Sequence, residues 1–232
     1  KGFSGYFGSY AQKGGQASML RLRTPAGRIK KETLSAIAHM LRTHDVPRLH
    51  FTTCQTIQLH DLKTDALYPL MEESLDNNII IMGGGGDFPR NTMCAPLSGV
   101  EQGEYFDVLP YAEAAADFAL PLIDAEKMPR KLKVAFSNSP ANEPHATYRD
   151  LGFVANEDGT FGVYSAGGLG GFPKLGVKVA DHIAAFLEAD SSIRYGITSA
   201  HLTSGKANLL RIYNQNPIVN GIDVMAFFDQ FQ

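Results

Sequence analysis

Apolar and polar positions along the chain follow two rhythms. Residues 17–24 alternate between them and predict a strand. In residues 31–43, Leu34, Ile37, Ala38 and Leu41 recur at helical spacing and predict an amphipathic helix. Residues 49–51 and 56–60 predict short strands around a sharp connection at 52–55. A second helix is expected over 64–76, with Leu67, Leu70, Met71 and Leu75 as its stripe. The unbroken apolar run at 79–82 predicts a buried strand. The order β-α-β-β-α-β is the ferredoxin-like plan. Ahead of it, residues 1–16 hold Gly2, Gly5, Gly8, Gly14 and Gly15 and predict an irregular arm.

Four successive glycines at 83–86 set the expected domain boundary, with one domain at 1–86 and a second at 87–232. In the second, residues 111–123 predict a helix that Pro121 ends or kinks. Residues 132–136 predict a strand, and 151–155 with 161–165 a hairpin around 156–159. After a glycine-rich loop at 167–171, Val179, Ile183 and Leu187 predict a helix over 175–188. Two more helices are expected at 207–213 and 224–231. The fold class is α+β: a ferredoxin-like half-domain followed by a mixed sheet-and-helix domain.

Composition narrows the function classes. Hydrophobic residues make up 44% of the 232, enough for a core, and the net charge is −3. No basic excess points to nucleic acid, so any anion chemistry rests on locally placed cations. The cysteines, Cys54 and Cys94, form no CxxC, which argues against a disulfide framework or a thiolate metal site and for a reducing, cytoplasmic setting. No apolar run reaches roughly 18 residues, so no membrane span is expected. The start, without an initiator Met or an apolar leader, leads to the expectation of a fragment or processed chain.

Two segments carry candidate chemistry. At the end of the four-glycine loop stands Arg90, followed by Asn91; an arginine there either clamps an anion through its planar fork or lies solvated beside a hinge. Lys131 and Lys133 would share a strand face, where they either flank an anion or guard a sheet edge. The 167–171 loop fits neither a dinucleotide fingerprint nor a P-loop, and both an anion cradle and a structural turn stay open. The seven histidines form no HxxxH pair, and no GxSxG marks a nucleophile.

These segments together resemble the amino-terminal half of the siroheme-dependent sulfite and nitrite reductases. Thr52-Thr53-Cys54-Gln55, with Gln58 and His60, is similar to the family's T-T-R-Q-x-x-Q-x-H. Arg90-Asn91 through Cys94 resembles R-N-x-x-C, and Met128 through Lys133 resembles L-P-R-K-x-K. Asp150 through Phe153, then Gly167 and Gly168, resemble D-x-G-F and G-G-x-x-G. The resemblance runs in family order over residues 15–190. It implies an oxidoreductase that reduces sulfite or nitrite at siroheme coupled to a 4Fe–4S cluster. It implies that Arg90, Lys131 and Lys133 bind the anion on the distal face. It also implies that Cys54, Gln55, Gln58, His60, Asn91, Gly167 and Gly168 line the cofactor.

Two departures accompany the resemblance. Cys54 stands where the family has arginine, which removes a permanent charge and a bidentate fork. The cluster needs four thiolates, which two cysteines do not supply. The implied partners are therefore a carboxy-terminal half or a separate cluster-bearing subunit, and an electron donor such as ferredoxin or a flavoprotein. On that expectation the chain is inactive by itself. The alternative is a stand-alone, cluster-free relative that binds an anion or tetrapyrrole.

Overall fold

The computed structural model describes residues 2–125 and 131–184. A short helix α1 (Gly2–Tyr6) leads into β1 (Ser9–Ala11), β2 (Ser18–Leu22), α2 (Lys31–Thr43), β3 (Arg48–Phe51), β4 (Ile57–Leu62) and α3 (Thr64–Asp76). The four strands form an antiparallel sheet in the order β1-β2-β4-β3. The expected irregular arm thus supplies an edge strand. Its glycines are used locally: Gly8 takes φ +78, and a Cβ there would lie 2.1 Å from the Ile81 carbonyl oxygen.

One face of this sheet is apolar because strand alternation puts Leu20, Leu22, Ile57 and Leu59 on the same side. All four are fully buried, against Ile37 and Met40 of α2 and Leu70 of α3. Both stripes are rotated from expectation. Leu34 and Leu75 are exposed, while Met40 and Ser74 are buried, Ser74 donating to the Leu70 carbonyl at 2.6 Å. Both helices end on a non-glycine residue in left-handed conformation, Asp45 (φ 47) and Asn78 (φ 55). The next residue then bonds back across the last turn: Val46 N–H to Leu41 O and Ile79 N–H to Ser74 O.

That capping corrects the strand expected at 79–82. Ile79 is the residue that closes the α3 cap, and 79–81 has no ladder of its own. Ile79 and Ile81 are buried, and the run touches β2's extension through one backbone bond, Arg23 N–H to Ile80 O at 2.7 Å. Hydrophobicity reported burial correctly but not the backbone pairing.

The second unit is built on a mixed sheet in the order β5-β6-β7-β8-β9: β5 (Met93–Cys94), β6 (Val134–Ser137), β7 (Leu151–Ala155), β8 (Thr160–Ser165) and β9 (Val177–Ala184). Strands β5, β6 and β7 are parallel to one another; β8 and β9 continue antiparallel. Helices α4 (Leu109–Ala119) and α5 (Leu122–Ala125) part at Pro121, as its missing N–H requires. Phe161 sits at the core's centre and meets Phe106, Tyr111, Phe136 and Phe153 edge-on at 5.1–5.8 Å.

Two further corrections fall here. The helix expected over 175–188 is strand β9 as far as the described residues extend. Val179 and Ile183 are four apart, a spacing that fits one helix face and one strand face equally; pairing with β8 decides it. Lys131 and Lys133 precede β6 rather than sharing a strand face, and Lys131 has φ 65. Because β6 is paired on both sides, the edge-guarding alternative also falls. The helices expected at 207–213 and 224–231 lie outside the described residues.

Gly152 is the tightest backbone approach in this unit. A Cβ there would lie 2.0 Å from the Ala146 carbonyl oxygen and 2.5 Å from its carbon. Gly152→Ala is expected to destabilise the protein by about 1–3 kcal/mol or more. A urea midpoint unchanged from wild type would contradict that packing.

Candidate functional site

Parallel strands start at the same edge of their sheet, so the segments leading into β5, β6 and β7 run side by side. Arg90 lies three residues before β5 and Lys133 immediately before β6, with Arg149 and Asp150 just before β7. Hydrogen bonds lace these leads together. Arg90 N–H donates to Leu132 O at 2.9 Å, Leu151 N–H to Lys133 O at 3.2 Å, and Lys133 N–H to the Asp150 carboxylate at 2.9 Å. The carboxyl end of antiparallel β8 arrives at the same edge, where Gly167 N–H donates to Arg149 O at 3.0 Å. Arg90, Lys131, Lys133 and Gly167 are thereby gathered at one edge.

The connection at 52–55 reaches that edge from the first sheet. Its turn is closed by Gln55 N–H to Thr52 O and by Thr52 N–H to Thr56 O, with Gln55 at φ 53. Gln55 then acts like a short neighbouring strand: its Nε2 donates to Cys94 O at 2.6 Å while its Oε1 accepts from Cys94 N–H at 2.9 Å. Asn91 Nδ2 donates to the carbonyls of Cys54 and Gln55 at 3.2 and 3.0 Å. The Thr24 hydroxyl also donates to Gln55 O. The amides of Gln55 and Asn91 therefore bind the two sheets to each other. Asn91 Oδ1 stays buried with no partner.

The four-glycine loop seats arginines. A Cβ on Gly85 would lie 2.5 Å from the Tyr10 ring, and one on Gly84 2.9 Å from Arg21 Cβ. With no side chains, the loop turns carbonyls to guanidinium groups: Gly84 O to Arg21 (3.2 Å) and Arg90 (3.1 Å), and Gly83 O to Arg23 (3.3 Å). Arg23 is 5% exposed and also donates to Pro89 O at 2.7 Å and Arg90 O at 3.1 Å. Burial, then the Arg90 charge, lowers its pKa to about 10, which still leaves it charged at neutral pH. Arg90 is thus anchored on the loop rather than solvated beside a hinge. Carbonyls solvate a cation without cancelling its charge.

Gln58 and His60 lie elsewhere, on the uncovered face of the first sheet. Gln58 is cross-strand from Arg21 and His50, His60 is cross-strand from Arg48, and His60 Nε2 lies 2.9 Å from Gln58 Oε1. Burial, then the Arg48 charge, lowers the His60 pKa. Arg21 Nε and His60 Nδ1 are buried there without partners. Gly168 pairs with Lys174 through two 2.9 Å bonds, which close 168–174 into a turn carrying the 92%-exposed Phe172.

Sequence reasoning missed Arg21, Arg23 and Arg149. The alternation around Leu20 and Leu22 held the signal for the first two, since it puts both arginines opposite the apolar face. Nothing local marked Arg149. Among the described residues, no group of three or more potential metal ligands is found, and no helix is long and apolar enough to cross a membrane.

A ferredoxin-like half-domain joined to a mixed sheet whose leads carry cations defines an α+β protein with basic side chains gathered at one edge. Family models identify it further: residues 10–76 match the nitrite/sulfite reductase ferredoxin-like half domain, and 85–216 the nitrite and sulphite reductase 4Fe-4S domain. The chain belongs to the nitrite and sulphite reductase family. It is 29% identical to a ferredoxin–nitrite reductase of Synechococcus elongatus over 181 residues, covering 75% of this chain and 35% of that protein. It is 30% identical to a sulfite reductase [NADPH] hemoprotein beta-component of Shewanella denitrificans over 217 residues, covering 76% and 38%. The NirA protein of Mycobacterium tuberculosis shares the fold with a TM-score of 0.61 at 20% identity, over 75% of this chain and 36% of that one. The chain spans roughly a third of the length of the relatives it matches.

Two outcomes follow from this geometry. Gln55→Ala strands the buried Cys94 N–H and C=O, and is expected to lower unfolding free energy by about 1–3 kcal/mol per group. Gln55→Glu should not rescue it, because a carboxylate cannot donate to Cys94 O; full stability of either variant would contradict the bridge. Cys94 is 1% exposed and burial, with Asp107 and Glu113 adding, pushes its thiol up to about 12, whereas Cys54 is partly exposed. Alkylation of folded protein at pH 8 should therefore modify Cys54 and spare Cys94, read by peptide mass.

Proposed function

We propose that this chain forms the anion-binding side of a siroheme-dependent nitrite or sulfite reductase. The observation that carries this is the gathering of Arg90, Lys131 and Lys133 at the amino ends of the neighbouring parallel strands β5 and β6, beside the loop that holds Cys54. Permanent charge held in place before an anion arrives costs no reorganisation, which is what stabilising an oxyanion requires. The exposed Lys131 and half-buried Lys133 present ammonium groups that bind oxygen and pass protons to it. Arg90, braced on Gly84 O and Gly86 O, orients the anion rather than following it.

The residues present fit the cofactor. Siroheme carries several carboxylates, and the uncovered sheet face offers Arg21, Arg48, His50, Gln58 and His60, with Arg21 Nε a buried donor lacking an acceptor. Gln58 and His60 would hold it there, with Gly167 and Gly168 at its rim. When bound, siroheme supplies the electron-transfer chemistry. Its cluster must take thiolates from outside these 232 residues, in the rest of a longer polypeptide or in a second subunit. The names of the relatives point to two classes of electron donor, a ferredoxin or an NADPH-linked partner.

Lys131→Met in the complete enzyme is expected to lower kcat/KM for nitrite or sulfite by about 10²-fold. Stability should stay within about 0.5 kcal/mol, because the side chain is exposed. Steady-state kinetics beside urea denaturation checks this. Lost stability with unchanged activity per folded molecule would defeat the assignment. The stand-alone reading rests on Cys54 and the two-cysteine count; it is supported instead if the natural polypeptide binds the anions but no partner supplies a cluster.

A further inference from the structure

Cys54 leaves the 52–55 loop without a cation at its tip. Its side chain packs on the cluster of Met93, Ala135 and Ala146, with Val154 alongside. Ala146 opens the 3-10 turn Ala146–Tyr148, and the residue that ends this turn is Arg149. Arg149 is 5% exposed, an unusual place for a guanidinium. Its Nε and Nη2 donate to one carbonyl, Pro144 O, at 3.3 and 3.1 Å. That carbonyl fixes the plane of the group but does not neutralise it.

Two ionisable neighbours act on Arg149. Burial lowers its pKa, and Cys54 and then Asp150 oppose that. Asp150 is the one carboxylate in this pair of neighbours. Burial pushes its pKa up, while the Lys133 amide, the Lys133 charge and Arg149 oppose. Asp150 thus holds the Lys133 backbone N–H and lies within the influence of the Lys133 and Arg149 charges at the leads of β6 and β7.

We propose that Arg149, which ends the turn whose first residue Cys54 packs against, supplies the positive charge that the 52–55 loop lacks, and so sets the affinity of the site for small oxyanions. This rests on the anion-site reading above and deepens it. The charge has moved from the loop's tip into the floor behind it, so it attracts the anion through its field rather than through a bidentate fork. A second guanidinium at position 54 would then face Arg149 as a like charge in a poorly solvated place, and each position constrains the other.

The test is a double-mutant cycle in the complete, cofactor-loaded enzyme, with nitrite and sulfite as probes in calorimetric titration and urea denaturation run beside it. Arg149→Met is expected to weaken anion binding on the order of tenfold. Arg149→Lys, which keeps the charge, should largely retain binding. Cys54→Arg alone should lower stability and gain no affinity, whereas Cys54→Arg with Arg149→Met should recover both. The proposal is overturned if Cys54→Arg alone tightens binding tenfold, which needs no Arg149 variant to fold. It is equally overturned if the two substitutions act additively, or if Arg149→Met costs only stability. If Lys131→Met abolishes binding and Arg149→Met does not, this proposal falls and the anion site stands. If wild type binds neither probe, the anion-site reading itself fails and takes this one with it.

Discussion

The structure depends on one side-chain amide taking the place of a missing strand. β5 is two residues long and sits at the edge of its sheet, so its outer N–H and C=O would face an interface with nothing to bond. Gln55 fills both with one planar group. Buried backbone groups are costly to leave unpaired, so this pairing locates the 52–55 loop relative to the second sheet. Asn91 and Thr24 bond the same loop from the sides. Every functional residue of the loop, Cys54 included, inherits its position from that contact.

The second organising feature is the treatment of positive charge. Arg21, Arg23, Arg90 and Arg149 all rest on backbone carbonyls. Carbonyls satisfy donors and leave the charge, and glycine at 83–85 lets the loop's carbonyls approach Arg21, Arg23 and Arg90 closely. A chain with net charge −3 can therefore present a cationic edge. The cost is desolvation, visible in the depressed pKa of Arg23 and Arg149.

Family membership and site geometry say different things about the motif residues. Gln55 and Asn91 are committed to joining the sheets, and Gln58 and His60 to the open face of the first one. Arg90, Lys131 and Lys133 stand at the strand leads, with Asn91 and Asp150 beside them. The turn that begins at Ala146, on which Cys54 packs, ends in an arginine that belongs to no motif.

By itself the sequence determined what local chemistry controls. Helices 31–43 and 64–76 were legible because their periodicity runs over three turns, and the break at Pro121 because proline lacks an N–H. The family was legible because its motifs are short, ordered and chemically unusual. Only tertiary structure decided the rest. Val179 and Ile183 suit helix or strand until β8 offers a ladder, and residues 79–81 are buried whether or not they pair. Arg149 carries no local signal at all: it comes near Cys54, 95 residues away along the chain, only because the Gln55 and Asn91 amides dock the 52–55 loop of the first sheet against the second. Charge acts through space, and the sequence records only the order of the chain.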